Sequence, residues 1–279
     1  MACLVLIAGC GDLGSAVARI LIQQDFDVCG LRYRSAVVPD GVHLIRADVT
    51  NPDDLEVLSS LQPQILLYCV AADAQTDGSY QAHYANGLVN VLEKLKPSNS
   101  VRHVFLVSST RVFGQQTDEW LDERSPAQPA DFGGARLLEA EGLLSDTGIP
   151  YTILRLSGIY GPGRTRLIGL ARRPRDWPVQ NTWTSRIHRD DAAAFIAQLI
   201  VQRSRNESVE SLYLVTDSRP VPQYEVLMWL AEKQGITAGI GIPDVKGGKR
   251  LSNSRMLATG FSLAYPDYQA GYVRLIESM

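Results

Sequence analysis

The sequence predicts an α/β protein built on a doubly wound parallel sheet with a small C-terminal lobe. Three observations predict it: short uninterrupted apolar runs, amphipathic or capped helical stretches between them at regular spacing, and a glycine-rich turn directly after the first run. Over 279 residues with 45% hydrophobic and 20% charged residues, the chain has the composition of an ordered globular protein with one or two lobes.

The first run, Cys3 to Ala8, has the continuous apolar character of a strand buried on both faces. Val17, Ile20, Leu21 and Gln24 then recur at helical spacing. Phe26–Leu31 and Val42–Ala47 read as strands two and three. After them Asn51 is placed to cap a helix, with Pro52 at its first position and Asp53 and Asp54 at the positive end of its dipole. That helix ends before Pro63. Ile65–Val70 reads as strand four, Ser79–Lys96 as a long helix stopped by Pro97, and Val101–Val107 as strand five. Arg136–Leu144 reads as helix, ending at Gly148. Tyr151–Leu156 is strand six, Asp190–Gln202 a helix and Ser211–Thr216 strand seven.

Alternation of this kind implies right-handed crossovers and a Rossmann-like sheet. Residues 1–157, completed by 187–216, form the expected dinucleotide-binding domain. Residues 158–186 and 217–279 are assigned to the smaller substrate lobe, because Pro162, Gly163, Pro174 and Pro178 break the chain there.

Net charge is -3 with an isoelectric point near 5.8, which argues against nucleic acid as a partner, since a phosphate backbone demands a broad basic surface. Cys3, Cys10, Cys29 and Cys69 show no metal-ligand or disulfide spacing, so no metal is expected and a reducing cytoplasm is the natural compartment. The apolar start, Met1 to Ala8, lacks a basic flank and reads as a strand and not a leader. No segment approaches the roughly 20 apolar residues needed to span a bilayer.

Gly9-Cys10-Gly11-Asp12-Leu13-Gly14 is a G-x-G-x-x-G between a strand and a helix. Gly9 allows the tight turn, Gly11 lets backbone approach a diphosphate, and Gly14 lets helix and strand pack closely, with helix N–H groups facing the phosphates. The expected ligand is NADP, otherwise NAD. At the end of strand two, where an acid would bond the ribose hydroxyls, stand Arg32 and Arg34. Guanidinium there suits an adenosine 2′-phosphate, the alternative being a solvated loop arginine. Asp48 is read either as a contact to the adenine edge or as a turn residue.

These segments, together with Cys69-Val70-Ala71-Ala72, Val107–Thr110 followed by Val112-Phe113-Gly114, Leu154–Gly163 and Arg186–Asp191, resemble the extended and atypical short-chain dehydrogenase/reductases of the NAD-dependent epimerase/dehydratase family, closest to its YeeZ-like atypical subgroup. The resemblance implies that Val70, Ala71 and Ala72 flank the cofactor. It also implies a catalytic set of Ser or Thr, Tyr and Lys, in which the Tyr is the acid/base, the Lys lowers its pKa and the hydroxyl orients the substrate oxygen. Ser109 matches the first member. The Tyr-x-x-x-Lys pair is replaced by Phe132 and Arg136, and a phenyl ring transfers no proton while guanidinium is a fixed cation.

Two functions follow: an oxidoreductase or epimerase/dehydratase-like enzyme completed by another acid, or an NADP(H)-binding regulatory protein with little turnover. Asp73, Asp131 and His188 are candidate replacement acids, each also readable as a loop or capping residue. Ser109 has a local backbone role as its alternative, Arg136 a solvated one and Phe132 core packing. Arg164, Arg166, Arg172, Arg173, Arg175, Arg186 and Arg189 crowd one region. They point to an anionic small-molecule substrate, which the resemblance implies is a nucleotide sugar, or else to a solvated surface. Trp177 and Trp183 either stack on a ligand ring or pack the lobe, and Lys249 and Arg250 reach an anion from a glycine-rich loop or belong to a connector. The resemblance further implies a homodimer through paired helices.

Overall fold

The computed structural model describes residues 3–34 and 37–277; Met1 and Ala2 of the expected first strand region, and residues 278 and 279 of the expected lobe, lie outside them. The chain divides into two compact units. One comprises Met1–Gly114, Ala127–Arg155 and Ala193–Tyr213, the other Gln115–Pro126, Leu156–Ala192 and Leu214–Met279. Residues 115–126, 156–157, 187–192 and 214–216, expected with the first part, group with the second.

In the first unit β1 (Leu4–Ala8) leads through a tight turn to α1 (Asp12–Ile22), then β2 (Asp27–Arg32) and β3 (Val42–Arg46). Helix α1 buries Leu13, Val17, Ala18 and Leu21; Gln24, expected on its apolar stripe, lies beyond its end and is exposed. The helix expected at Asn51 is a short 3-10 segment, Asp54–Ser60. Asn51 does not cap it. Its side-chain oxygen accepts from the Asp53 N–H and its amide donates to Asp54, a local turn, while Leu55 and Leu58 take the i, i+3 spacing of a 3-10 helix and are both buried.

Strand β4 (Ile65–Tyr68) is followed by α2 (Asp77–Tyr80), a π-helical segment (Gln81–Asn86) and α3 (Gly87–Leu95), in place of one regular long helix. The widening has a cause, since the Tyr68 hydroxyl donates to the His83 carbonyl within it. A Cβ on Gly87 would stand 2.5 Å from the same hydroxyl, so glycine is needed for that approach. Strand β5 (His103–Ser109) follows. The second unit then contributes β6 (Trp120–Leu121), after which α4 (Phe132–Ser145) begins four residues before its expected start, because Asp131 accepts from the Gly134 N–H as N-cap.

With β7 (Tyr151–Leu156) and the later β11, the sheet has the order β11-β7-β5-β4-β1-β2-β3, and the pairs β1–β2, β1–β4, β2–β3 and β4–β5 are parallel. The chain leaves β1 toward β2 and returns to β4 on the other side. The crevice outside the carboxyl ends of β1 and β4 is therefore the topological switch point, where ligands bind such sheets. Leu6, Leu31, Leu66, Tyr68, Leu88, Val91 and Val104 are among the buried residues of the core on this sheet.

The chain continues with β8 (Gly158–Tyr160), α5 (Arg166–Ala171), β9 (Asn181–Thr184), β10 (Arg186–His188), α6 (Arg189–Ser204), β11 (Leu212–Val215), β12 (Val221–Pro222), α7 (Gln223–Lys233), β13 (Val245–Gly248), β14 (Arg250–Leu251), α8 (Ser254–Ala258) and α9 (Tyr268–Glu277), in which residues 193–213, most of α6 and the start of β11, belong to the first unit and the rest to the second. Strand β6 pairs with β14, Trp120 opposite Arg250, and β10 pairs with β8. Those pairings explain why residues 115–126 and the start of α6 group here. A separate core gathers Tyr160, Trp177, Tyr224, Leu227, Leu230, Tyr268 and Tyr272.

Candidate functional site

The turn after β1 is shaped by contact. Gly9 has φ +91°, and a Cβ there would stand 2.6 Å from the backbone of Cys69 and Val70; one on Gly14 would stand 2.6 Å from the Gly9 carbonyl oxygen. Gly11 differs, since nothing but the Gly9 carbonyl, at 3.9 Å, comes within reach of an added Cβ. The turn is held by Gly9 and Cys10 N–H groups donating to the Leu31 carbonyl and by Gly11 donating to Gly9. Cys10 is buried and Leu13 packs in the core, while Asp12 is exposed. Gly11 caps α1 without a side-chain bond, and the first N–H groups of a helix have no acceptor within it. A close, open backbone at a helix N-terminus fits a dinucleotide diphosphate.

Around this turn, Arg32 ends β2 and donates to the Val37 carbonyl at 3.1 Å. Arg34 pairs with Asp73 at 3.0 Å on the surface. Asp48 takes a turn role, its Oδ1 accepting from the Thr50 N–H and hydroxyl at 2.9 and 2.8 Å. Val70, Ala71 and Ala72 follow β4, Ala71 exposed, and the Ala72 N–H donates to the Tyr84 hydroxyl. Burial pushes the Tyr84 phenol up, with Tyr80 adding to the effect and Arg111 opposing it.

At the end of β5, Ser109 accepts from the Arg111 N–H at 3.2 Å. Arg111 is the centre that sequence reasoning missed. Its Nε stands 2.9 and 3.0 Å from the Asp131 oxygens, its Nη1 donates to the Tyr80 hydroxyl at 2.8 Å and to Gln75 at 3.2 Å, and its guanidinium lies over the rings of Tyr80 and Phe132 at 5.1 and 5.3 Å. Phe132 meets Tyr80 edge-to-face at 5.4 Å. A signal was present in Gly133, where a Cβ would fall 2.4 Å from the Arg111 Cζ; glycine early in a helix marks a close approach.

Arg136 points to another partner, gripping Asp77 through Nε and Nη2 at 2.7 and 2.9 Å and Glu139 through Nη1 at 2.7 Å. Burial alone would raise the Asp131 carboxyl, but the Gly134 N–H and Arg111 outweigh it and hold the group below the usual carboxylate range. Asp131 is thus an anion and a cap, not a proton donor near neutrality. Asp73 serves Arg34 and lies 3.8 Å from His83.

In the second unit, His188 is buried, accepts from the Asp190 N–H, and is pushed down chiefly by burial. Arg186 is buried against Thr184 and the Tyr268 ring. Arg164 and Arg166 are exposed, on the turn after β8 and at the start of α5. The Lys249 N–H donates to the Trp183 carbonyl. Arg250 is sandwiched between Trp120 and Trp183, 4.8 and 4.7 Å from their ring centres, and Trp183 also donates to Asp118. Trp177 packs in the core and donates to the Leu170 carbonyl. Of the five expected substrate cations, Arg186 and Arg250 are held by their own neighbours, while Arg164 and Arg166 are exposed. Among the described residues no cluster of His, Cys, Asp or Glu could hold a metal ion, and no helix is long and apolar enough to cross a membrane.

Comparison with known proteins agrees with this architecture. A solved structure from Methylobacillus flagellatus, designated an NAD-dependent epimerase/dehydratase, is 50% identical and superposes with a TM-score of 0.91, covering 100% of this chain and 99% of that one. The Thermus thermophilus UDP-glucose 4-epimerase in complex with NAD shares the fold at a TM-score of 0.76 and 21% identity, covering 96% of each chain. Protein YeeZ of Escherichia coli is 28% identical over 174 residues, 57% of this chain and 60% of its own length. The dTDP-L-rhamnose 4-epimerase of Burkholderia thailandensis is 27% identical over 215 residues, 58% of this chain and 59% of its own. The chain thus matches about three-fifths of the length of these curated relatives. Since residues 5–209 match its sequence pattern, the chain belongs to the NAD dependent epimerase/dehydratase family.

Proposed function

We propose that this chain binds a nicotinamide dinucleotide across the Gly9–Gly14 turn and acts on a small molecule bearing a carbonyl group or a sugar nucleotide. The observation that carries the reading is the contrast within the turn. Gly9 and Gly14 are walled in by backbone, while Gly11 opens away from it at the N-terminus of α1. Two similar proteins, an epimerase complexed with NAD and a dTDP-sugar epimerase, support the same ligand classes. When bound, the nicotinamide would supply hydride exchange; Gly9–Gly14 and the Val70–Ala72 loop would hold it.

Arg32 supports a preference for NADP, because it stands where an acid would otherwise bond the ribose hydroxyls, while Arg34 is engaged by Asp73. Exposed Arg164 and Arg166 support an anionic substrate. A soluble, cytoplasmic homodimer belongs to the same proposal through the family resemblance. Calorimetric titration tests it: NADP(H) should bind at least about tenfold more tightly than NAD(H). Equal or tighter NAD(H) binding removes the role of Arg32, and binding of neither overturns the reading.

A second reading, in which the nucleotide regulates and is not turned over, is supported by the family resemblance, which sets Phe132 and Arg136 at the positions of the proton-transfer pair, and by the bonds from Arg136 to Asp77. Tight nucleotide binding with no NADPH oxidation across carbonyl and sugar-nucleotide libraries would favour it.

A further inference from the structure

Arginine has donors and no acceptor, which fixes the direction of each bond around Tyr80. The phenol oxygen accepts from Arg111 Nη1 at 2.8 Å, so its own proton is donated to Gln75 Oε1 at 3.0 Å. Arg111 Nη1 donates to that same Oε1 at 3.2 Å. One amide carbonyl oxygen thus receives a phenol O–H and a guanidinium N–H together. Two fixed donors converging on a carbonyl oxygen are what stabilises negative charge developing there.

The donors are rigid and the acceptor is not. Tyr80 is 6% exposed and packed against Tyr84 and Phe132. Arg111 is anchored by both oxygens of Asp131 and by two aromatic faces. Gln75, by contrast, is exposed, at the end of a flexible side chain in the loop after β4. Arg111 follows Ser109 by two residues, and both donors stand beside Phe132; Ser109 and Phe132 are the positions the family resemblance marks as catalytic.

We propose that Tyr80 and Arg111 form a binding site for a substrate carbonyl oxygen, and that the Gln75 amide occupies it here as a surrogate. The ligand class is an aldehyde, a ketone or a keto sugar. The proposal rests on the functional reading above only for its redox chemistry. In the reducing direction a carbonyl carbon would gain hydride from NAD(P)H, its oxygen would take the Tyr80 proton, and the phenolate left would face Arg111 until water reprotonated it. Carbonyl plus hydride plus proton gives the alcohol, so the step balances.

Isobutyramide, a primary amide that reproduces the Gln75 carbonyl and is not reduced, is the probe. It is titrated into the wild type, Gln75→Ala, Gln75→Ala/Tyr80→Phe and Gln75→Ala/Arg111→Gln, with circular dichroism and thermal melting confirming folded protein. Removing the internal competitor should tighten isobutyramide binding at least about tenfold, and removing either donor should reverse that gain. The site is overturned if Gln75→Ala binds no more tightly than wild type, or if the Tyr80→Phe double variant binds as tightly as Gln75→Ala. NADP⁺ titrated separately keeps the two readings apart: nucleotide binding with no amide response sinks this site alone, and an amide response without nucleotide binding sinks the nucleotide reading alone.

Discussion

Arg155 grips Glu141 inside the first unit, its Nε 3.0 and 3.2 Å from the two carboxylate oxygens and its Nη2 2.6 Å from one of them, with the side chains 7% and 4% exposed. The Ser108 hydroxyl donates to the same carboxylate at 2.6 Å, and the guanidinium lies 5.0 Å from the centre of the Phe113 ring. The network ties α4 to β7 and β5. Such a pair offsets the desolvation of two charges only when its geometry and extra hydrogen bonds are this complete. Removing one partner leaves the other charge buried, so Glu141→Gln should destabilise by about 3 kcal/mol or more, and Ser108→Ala by about 1 kcal/mol. Urea unfolding measures both, and a Glu141→Gln loss below about 0.5 kcal/mol would show the pair to be energetically idle.

The glycine turn separates folding from binding. In Gly14→Ala the methyl meets the Gly9 carbonyl at 2.6 Å and the Cys69 Sγ and Ile7 Cγ2 at 3.1 Å, so the variant should lose about 1–3 kcal/mol of stability. In Gly11→Ala the methyl meets nothing closer than 3.9 Å, so the melting temperature should hold while nucleotide affinity falls more than about tenfold. Unchanged affinity in folded Gly11→Ala would place the diphosphate elsewhere.

How much of this was legible beforehand follows from the kind of interaction. The parallel strands and the turn were readable because buried strands and glycine spacing are local patterns, and β7 falls on its expected residues, Tyr151–Leu156. The 3-10 segment and the π segment were not, because each depends on a contact made outside its own pattern: the Asn51–Asp54 turn in one, the Tyr68 hydroxyl from β4 in the other. Of the candidate site, Ser109 and Phe132 were named, yet Arg111 between them was passed over. Its meaning lies in partners 20 to 36 residues away, Asp131, Tyr80 and Gln75, and no periodicity records a hydrogen bond of that span. The partners of Arg136 were equally hidden: the resemblance sets it at the position of the catalytic Lys, and its bonds to Asp77, 59 residues away, leave no trace in the local pattern.

His103 should make the protein sensitive to acid. The Thr152 hydroxyl donates to the Glu210 carbonyl at 2.9 Å, so its oxygen accepts from His103 Nε2–H at 3.0 Å, which places the proton of the neutral ring on Nε2. Burial, with Arg203 nearby, lowers its pKa to about 4. A depressed base binds fewer protons folded than unfolded, so its stabilisation is full above about 6.5 and is lost as pH falls through about 4. Within that window the contribution of His103 to stability should fall by about 1.4 kcal/mol for each pH unit of acidification. His103→Gln, which can still donate to Thr152, should remove this contribution and so change the pH profile; a profile identical to that of the wild type would exclude His103 as a source.

Asp217 should act in the opposite sense. It is fully buried, its Oδ1 accepts from the Arg219 N–H at 3.2 Å and its Oδ2 has no hydrogen-bond partner among the described residues. Burial raises its pKa to about 7, against the opposing pull of Arg186. A raised acid binds more protons folded than unfolded, so its stabilisation is full below about 4 and is lost as pH rises through about 7. Between about pH 4 and 6.5 this slope and that of His103 have equal size and opposite sign, so in a cooperative global unfolding the wild type should show little dependence from the two together. The single variants expose each half. Across that window Asp217→Asn should become more stable as pH rises, because His103 alone then titrates, and His103→Gln should become less stable, because Asp217 alone does. Thermal melts at half-unit pH intervals read the two slopes, and slopes of the same sign in both variants would mean that neither buried group governs the profile.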